Sequence, residues 1–177
     1  MIALQNIRIL DQGLEMLRVL DDEVYGRSAP GGRASAGAHL RHVIDYYRCF
    51  LGGIDGRRID YDARERDSGV ESSTGAAGAA IAAIVKRLDG LTLHDADTAV
   101  EVKVDSAAAE GSGLIWSRSS VARELQFLLS HTVHHYALIV MTLRGAGIEL
   151  GDDFGVAPST IEYREAGEAV GASSASA

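Results

Sequence analysis

VARELQFLLSHTVHHYALIVMTLRGAG, residues 121–147, decides how the chain folds. It is the longest and most apolar helical run in the sequence. Ser119 or Ser120 stands before it as an N-cap, Glu124 falls in the first turn, and Gly145 or Gly147 marks its end. Inside this run HTVHH, 131–135, carries three of the six histidines. Helix residues step by about 100°, which leaves His131 and His135 about 40° apart on the side of Leu128 and Leu138. Both should point inward, whereas His134 lies about 100° from His135 and faces elsewhere. An H-x-x-x-H pair can hold one metal ion, or it can interrupt an apolar face with hydrogen-bonded side chains. No Glu follows the first His, so the H-E-x-x-H pattern of zinc proteases is absent.

Upstream, Leu4, Ile7, Leu10, Leu14, Leu17 and Leu20 predict an amphipathic helix within residues 3–24. SAPGGRAS, 28–35, is a turn cluster, and Ser35 caps a second helix, AGAHLRHVIDYYRCFLGG. Residues 54–73 are charge-dense and read as a long ordered surface loop with local pairing among Asp60, Asp62, Arg64, Arg66 and Asp67. Ser73 or Thr74 starts a third helix, which ends near Gly90. TAVEVKV, 98–104, alternates with period two and predicts a short strand; the Gly111–Gly113 run breaks the chain again. Four helices with one long connection define an all-α helical bundle. One domain covers 1–165, its last ordered piece being DDFGVAPSTIEYRE, and the small polar residues of 166–177 read as a disordered tail.

The chain of 177 residues suffices for one domain with a real core, and its 46% apolar and 24% charged residues are an ordinary globular balance. A net charge of −8 with scattered basic residues argues against nucleic acid or an anionic membrane as partner. The single cysteine, Cys49, forbids an intrachain disulfide, and neither a signal peptide nor an apolar span is visible. These features point to the cytoplasm.

The second helix carries His39 and His42, three apart and therefore neighbours on its surface. One of them, added to His131 and His135, makes three neutral nitrogen ligands with an open position, the arrangement of a catalytic zinc-type site. On the helical wheel the apolar side of this helix is Leu40, Val43, Ile44, Tyr47, Leu51 and Ile54. His39 lies about 90° from its centre and His42 about 150°, so burial alone favours His39. Asp45 and Glu124 are candidates to orient the ligating rings, against a plainer reading as solvated helix charges. Tyr46 and Tyr136 can line a pocket or pack in the core. Cys49 reads as packing, and His94 as an exposed loop residue. If the 54–73 loop folds over the metal end, one of its arginines can meet an anionic substrate.

SAGAHLRHVID (35–45) and HTVHH (131–135), taken together, resemble the two motifs of the DinB/YfiT-like family of metal-dependent bacterial proteins, over roughly residues 1–150. The resemblance implies an antiparallel four-helix bundle with a long crossover. It implies metal ligation by His42, His131 and His135, and so sets the motif against the wheel. His39, one turn from His42, is then a fourth ligand, a substrate contact or a proton shuttle. Members of the family resemble thiol-dependent S-transferases, including bacillithiol- and mycothiol-linked enzymes, and metal-dependent isomerases. Zinc suits imidazole, as do nickel and iron. The function this implies is S-transfer or hydrolysis of a small molecule, with a thiol cofactor as one possible partner. The alternative is a non-catalytic bundle that binds metal for stability, or binds a small ligand or a protein. Such bundles commonly form homodimers.

Overall fold

The computed structural model describes residues 2–29, 31–91, 96–103 and 116–174, with side chains up to residue 167. It is mainly helical, and three of its long helices start at a serine cap. Ser35 accepts from the Ala38 amide at the start of α3, Ala36–Gly53; Ser73 accepts from Ala76 ahead of α5, Thr74–Asp89; Ser120 accepts from Arg123 ahead of α6, Val121–Arg144. The run read as one helix to residue 24 is two. α1 spans Ile2–Val19, and Asp21, bonded by the Val24 amide at 2.8 Å, caps the short α2, Asp22–Gly26.

α1 packs on α5 and α6, and α3 packs on α6 and α5. Leu10, Leu40, Ile44, Tyr47, Ile81, Leu128, Tyr136 and Ile139 are fully buried between them. A polar staple crosses this core. Asn6, fully buried on α1, donates to the Leu125 carbonyl of α6 at 3.1 Å and accepts from the Tyr47 hydroxyl of α3 at 2.7 Å. Truncating Asn6 removes the acceptor of the buried Tyr47 hydroxyl, leaving it only the longer contact to Thr132 at 3.3 Å, and frees the Leu125 carbonyl of its side-chain donor. We therefore expect Asn6→Ala to cost roughly 2–3 kcal/mol in urea unfolding, with the m-value unchanged. An unshifted midpoint would show that the staple contributes nothing.

The charge-dense segment is not a plain surface loop. It contains strand β1, Arg58–Asp60, and helix α4, Ser68–Ser72, and it buries Ile59, Tyr61 and Val70. β1 pairs in parallel with β2, Ala99–Lys103, which pairs antiparallel with β3, Ser117–Ser120. In β2, Val100 and Val102 face inward between exposed Ala99 and Glu101, the alternation expected of that stretch. This small sheet is an addition to the all-α reading. β1 lies against α3, so the segment covers a flank of that helix. Acids of the segment also reach cations outside it. Lys103 takes Asp60 at 3.0 Å and Asp62 at 3.8 Å, while Asp67 caps α4 and meets Arg48 at 3.4 Å.

After α6 the chain is tied back to the helices. Gln12 on α1 exchanges hydrogen bonds with Val156 and Gly155, Phe154 stacks on Tyr136 at 4.7 Å, and Glu162 meets Arg8. The last helix, α7, runs Pro158–Ser174, into the stretch read from sequence as a tail. Among the described residues, no helix is long and apolar enough to cross a membrane.

Candidate metal centre

His131 and His135 sit on consecutive turns of α6, and His42 faces them from α3. One ring nitrogen from each lies within 4.8 Å of the other two. His42 Nε2 and His131 Nε2 are 3.2 Å apart. Two nitrogens bound at ~2.0–2.1 Å to one tetrahedral zinc stand about 3.3 Å apart, so this pair already has the separation of neighbouring ligands. His131 Nδ1 is buried with no hydrogen-bond partner. An ion taken at Nε2 does not reach that nitrogen, so the fit rests on the Nε2 separation and on the imidazole donors. The donor set fits a divalent metal.

His39 stands at the edge of this group. Its Nδ1 lies 3.2 Å from Nδ1 of His135, outside the set of three mutually close nitrogens. His134 is exposed, as its angle on the helix predicts. His94 lies outside the described residues. The structure thus brings His42 close to both histidines of α6, and His39 close to His135.

The wheel assumed one buried arc on α3, and His42 lies on another. His42, Tyr46 and Cys49 form a second stripe, at i, i+4 and i+7, and the segment after α3 covers it. Tyr61 stacks on Tyr46 at 5.1 Å between ring centroids, and Tyr46, 4% exposed, lies 4.3 Å from the His131 ring and 4.8 Å from that of His42. Phe127 adds a further wall, 5.6 Å from His131. Tyr61 and Phe127 were missed in sequence. Phe127 stands four before His131 on α6, a spacing that could have revealed it; Tyr61 had no comparable signal. Tyr136 is core, away from this pocket wall.

Neither candidate orienting carboxylate is a solvated charge, since Asp45 and Glu124 are each 1% exposed. Asp45 accepts from Arg41 at 2.9 Å, and its other oxygen is buried without a partner. Glu124 accepts from the Tyr61 hydroxyl at 3.0 Å, from Ser119 at 2.5 Å and from Arg123 at 3.0 Å. The expected Glu124 contact to His131 is not made: Glu124 holds Tyr61, which backs Tyr46, which lies against the imidazoles. Cys49 is half-buried, and burial first, then Asp45, pushes its thiol up to about 11. It is a neutral packing residue at pH 7.

The imidazoles are held neutral. Burial first, then His42, brings His131 down to about 4, and burial followed by the neighbouring histidines brings His135 down to about 3. His39 is lowered too, mainly by burial. Neutral rings are the ligating form. A consequence follows for the metal-free protein. The unfolded chain takes up protons near pH 6.5 that the folded rings refuse, so this contribution to stability is complete above about pH 6.5 and declines as pH falls toward the folded values. Chelator-treated protein should lose melting temperature between about pH 6.5 and 5, where carboxylates titrate little, and His131→Asn should flatten that slope. A slope unaffected by the substitution would contradict it.

The DinB superfamily family model matches residues 8–139, and the chain belongs to that superfamily. The chain is also 30% identical over 105 residues to "FK506-binding protein 5" of Rhizopus delemar. That match takes in 59% of this chain and 27% of the fungal protein, so the chain spans about a quarter of the length of that relative. No solved structure matches significantly.

Proposed function

We propose that this protein is a metal-dependent enzyme in which His42, His131 and His135 hold one divalent ion, zinc before nickel or iron, and that it transfers a thiol to a small molecule or hydrolyses one. The observation that carries the reading is the convergence of three imidazole nitrogens within 4.8 Å, from two helices, beneath an aromatic wall. The mutual packing of α1, α3, α5 and α6 supports a four-helix bundle as the scaffold.

A divalent ion on three neutral ligands keeps its full charge and lowers the pKa of a bound water or thiol toward neutrality. The chain's own thiol is ill suited as nucleophile, because Cys49 is held protonated at pH 7. The nucleophile therefore comes from solution, as a thiol cosubstrate or water. His39, uncharged at pH 7 and beside His135, can accept the proton that the nucleophile gives up. Tyr46 and Phe127 exclude water from one side of the rings, and Tyr61, bonded to Glu124, keeps Tyr46 in place.

The test is metal analysis of protein purified without a His tag, with an expected content of about one divalent ion per chain. Metal-loaded protein is then offered electrophiles with a panel of thiols, and esters with water. Absence of bound metal sinks the proposal. Metal that raises the melting temperature without turnover on either panel favours a stabilising role over an enzymatic one.

A further inference from the structure

Resting on the metal-centre reading, we propose that Arg64 anchors a carboxylate carried by the small molecule that reaches the three imidazoles. The guanidinium of Arg64 lies over the Tyr46 ring, with Cζ 5.0 Å from its centroid, and the same ring is 4.3 Å from that of His131. Arg64 is half-buried, and among the described residues it makes no ion pair and no hydrogen bond. Its neighbours differ. Arg41 is held by Asp45 and Glu71, Arg123 by Glu124, and Lys103 by Asp60. The acids around Arg64 are thus committed to other cations, and the adjacent Glu65 is exposed and makes no ion pair with it.

A partly desolvated guanidinium with its donors unspent, packed on an aromatic face beside a candidate reaction centre, is a ready-made fork for a carboxylate. The ring contact also restricts the arginine before any ligand arrives, which reduces the ordering cost of binding. A planar carboxylate matches the guanidinium fork with its two oxygens, and its single charge is the one that Arg64 can offset. The substrate class is then a carboxylic acid, with its reacting end at the histidines and its carboxylate at Arg64.

The probe is a series of ω-mercaptocarboxylates, from mercaptoacetate to mercaptohexanoate, each compared with its methyl ester. Binding to cobalt-loaded protein is read from the sulfur-to-cobalt absorption band. In wild type, at least one chain length should bind about ten- to a hundredfold more tightly as the acid than as the ester. Arg64→Gln should abolish that preference and leave ester binding and the cobalt spectrum as they were, while Arg64→Lys retains part of it. A cobalt spectrum with no acid preference in wild type, or a preference that survives Arg64→Gln, overturns this inference and leaves the metal centre standing. No cobalt spectrum in wild type overturns the metal centre and this inference with it.

Discussion

His131→Ala should lose the proposed divalent ion, and His42→Ala and His135→Ala should each do the same, whereas His39→Ala and His134→Ala should keep it. A three-ligand centre that loses one imidazole retains two nitrogens and an extra open position. The drop in affinity should exceed the roughly 10–100-fold that losing an outer hydrogen-bonding partner costs. Glu124→Gln is the internal comparison for that smaller effect, since Glu124 is buried but reaches the imidazoles only through Tyr61 and Tyr46. Competition with a chromogenic chelator measures the wild type and all six variants on one scale. Thermal melts supply a second reading: an ion that binds only the folded protein raises its melting temperature with concentration, and that rise should vanish in the three ligand variants. Equal metal uptake by wild type and His131→Ala defeats the assignment. Loss in His39→Ala with retention in His42→Ala would move the site one turn along α3, to the position that burial on the wheel favoured.

That contest between His39 and His42 marks where the sequence stops being informative. The inward angle of His131 and His135, the outward angle of His134, and the caps Ser35, Ser73 and Ser120 are local properties of a helix. Periodicity and cap chemistry carry them in full, and the structure has them where expected. The direction of His42 is not local. It depends on Tyr61, which arrives from beyond the end of α3 to cover the stripe of His42, Tyr46 and Cys49. The segment that brings Tyr61 is rich in Asp and Arg and reads as an ordered surface loop, because its apolar anchors Ile59, Tyr61 and Val70 are isolated among charges and form no period. The same cause hid the burial of Glu124. A carboxylate in the first turn of a helix is ordinarily exposed, and only the Tyr61 and Ser119 hydroxyls with Arg123 make it tolerable inside. The two-part motif singled out His42 without that knowledge, and the structure groups His42 with His131 and His135.

Gly37→Ala should destabilise the protein by at least the roughly 1–3 kcal/mol typical of overpacking, although alanine is the better helix former. A methyl at Gly37 would stand 2.0 Å from the Glu71 carbonyl oxygen and 2.9 Å from Cε1 of Tyr25. The first neighbour is backbone and cannot swing aside. It belongs to α4, which is pinned by the Asp67 cap, by the Tyr25 hydroxyl on the Val70 carbonyl at 2.8 Å, and by Arg41 on Glu71 at 2.8 Å. Relief therefore requires α3 to move as a body, and α3 carries His39 and His42. Metal affinity should fall along with stability. Gly52 on the same helix is the matched control, with nothing within 4 Å of an added Cβ, so Gly52→Ala should be neutral or gain up to about 1 kcal/mol from helix propensity alone. Urea unfolding of both variants, with and without saturating zinc, separates the two effects. If Gly37→Ala matches Gly52→Ala in midpoint and in zinc response, the close approach of α3 to α4 does not position the histidines. If it unfolds earlier and takes up zinc more weakly, the glycine of SAGAHLRH belongs to the metal centre by spacing the helix that bears it.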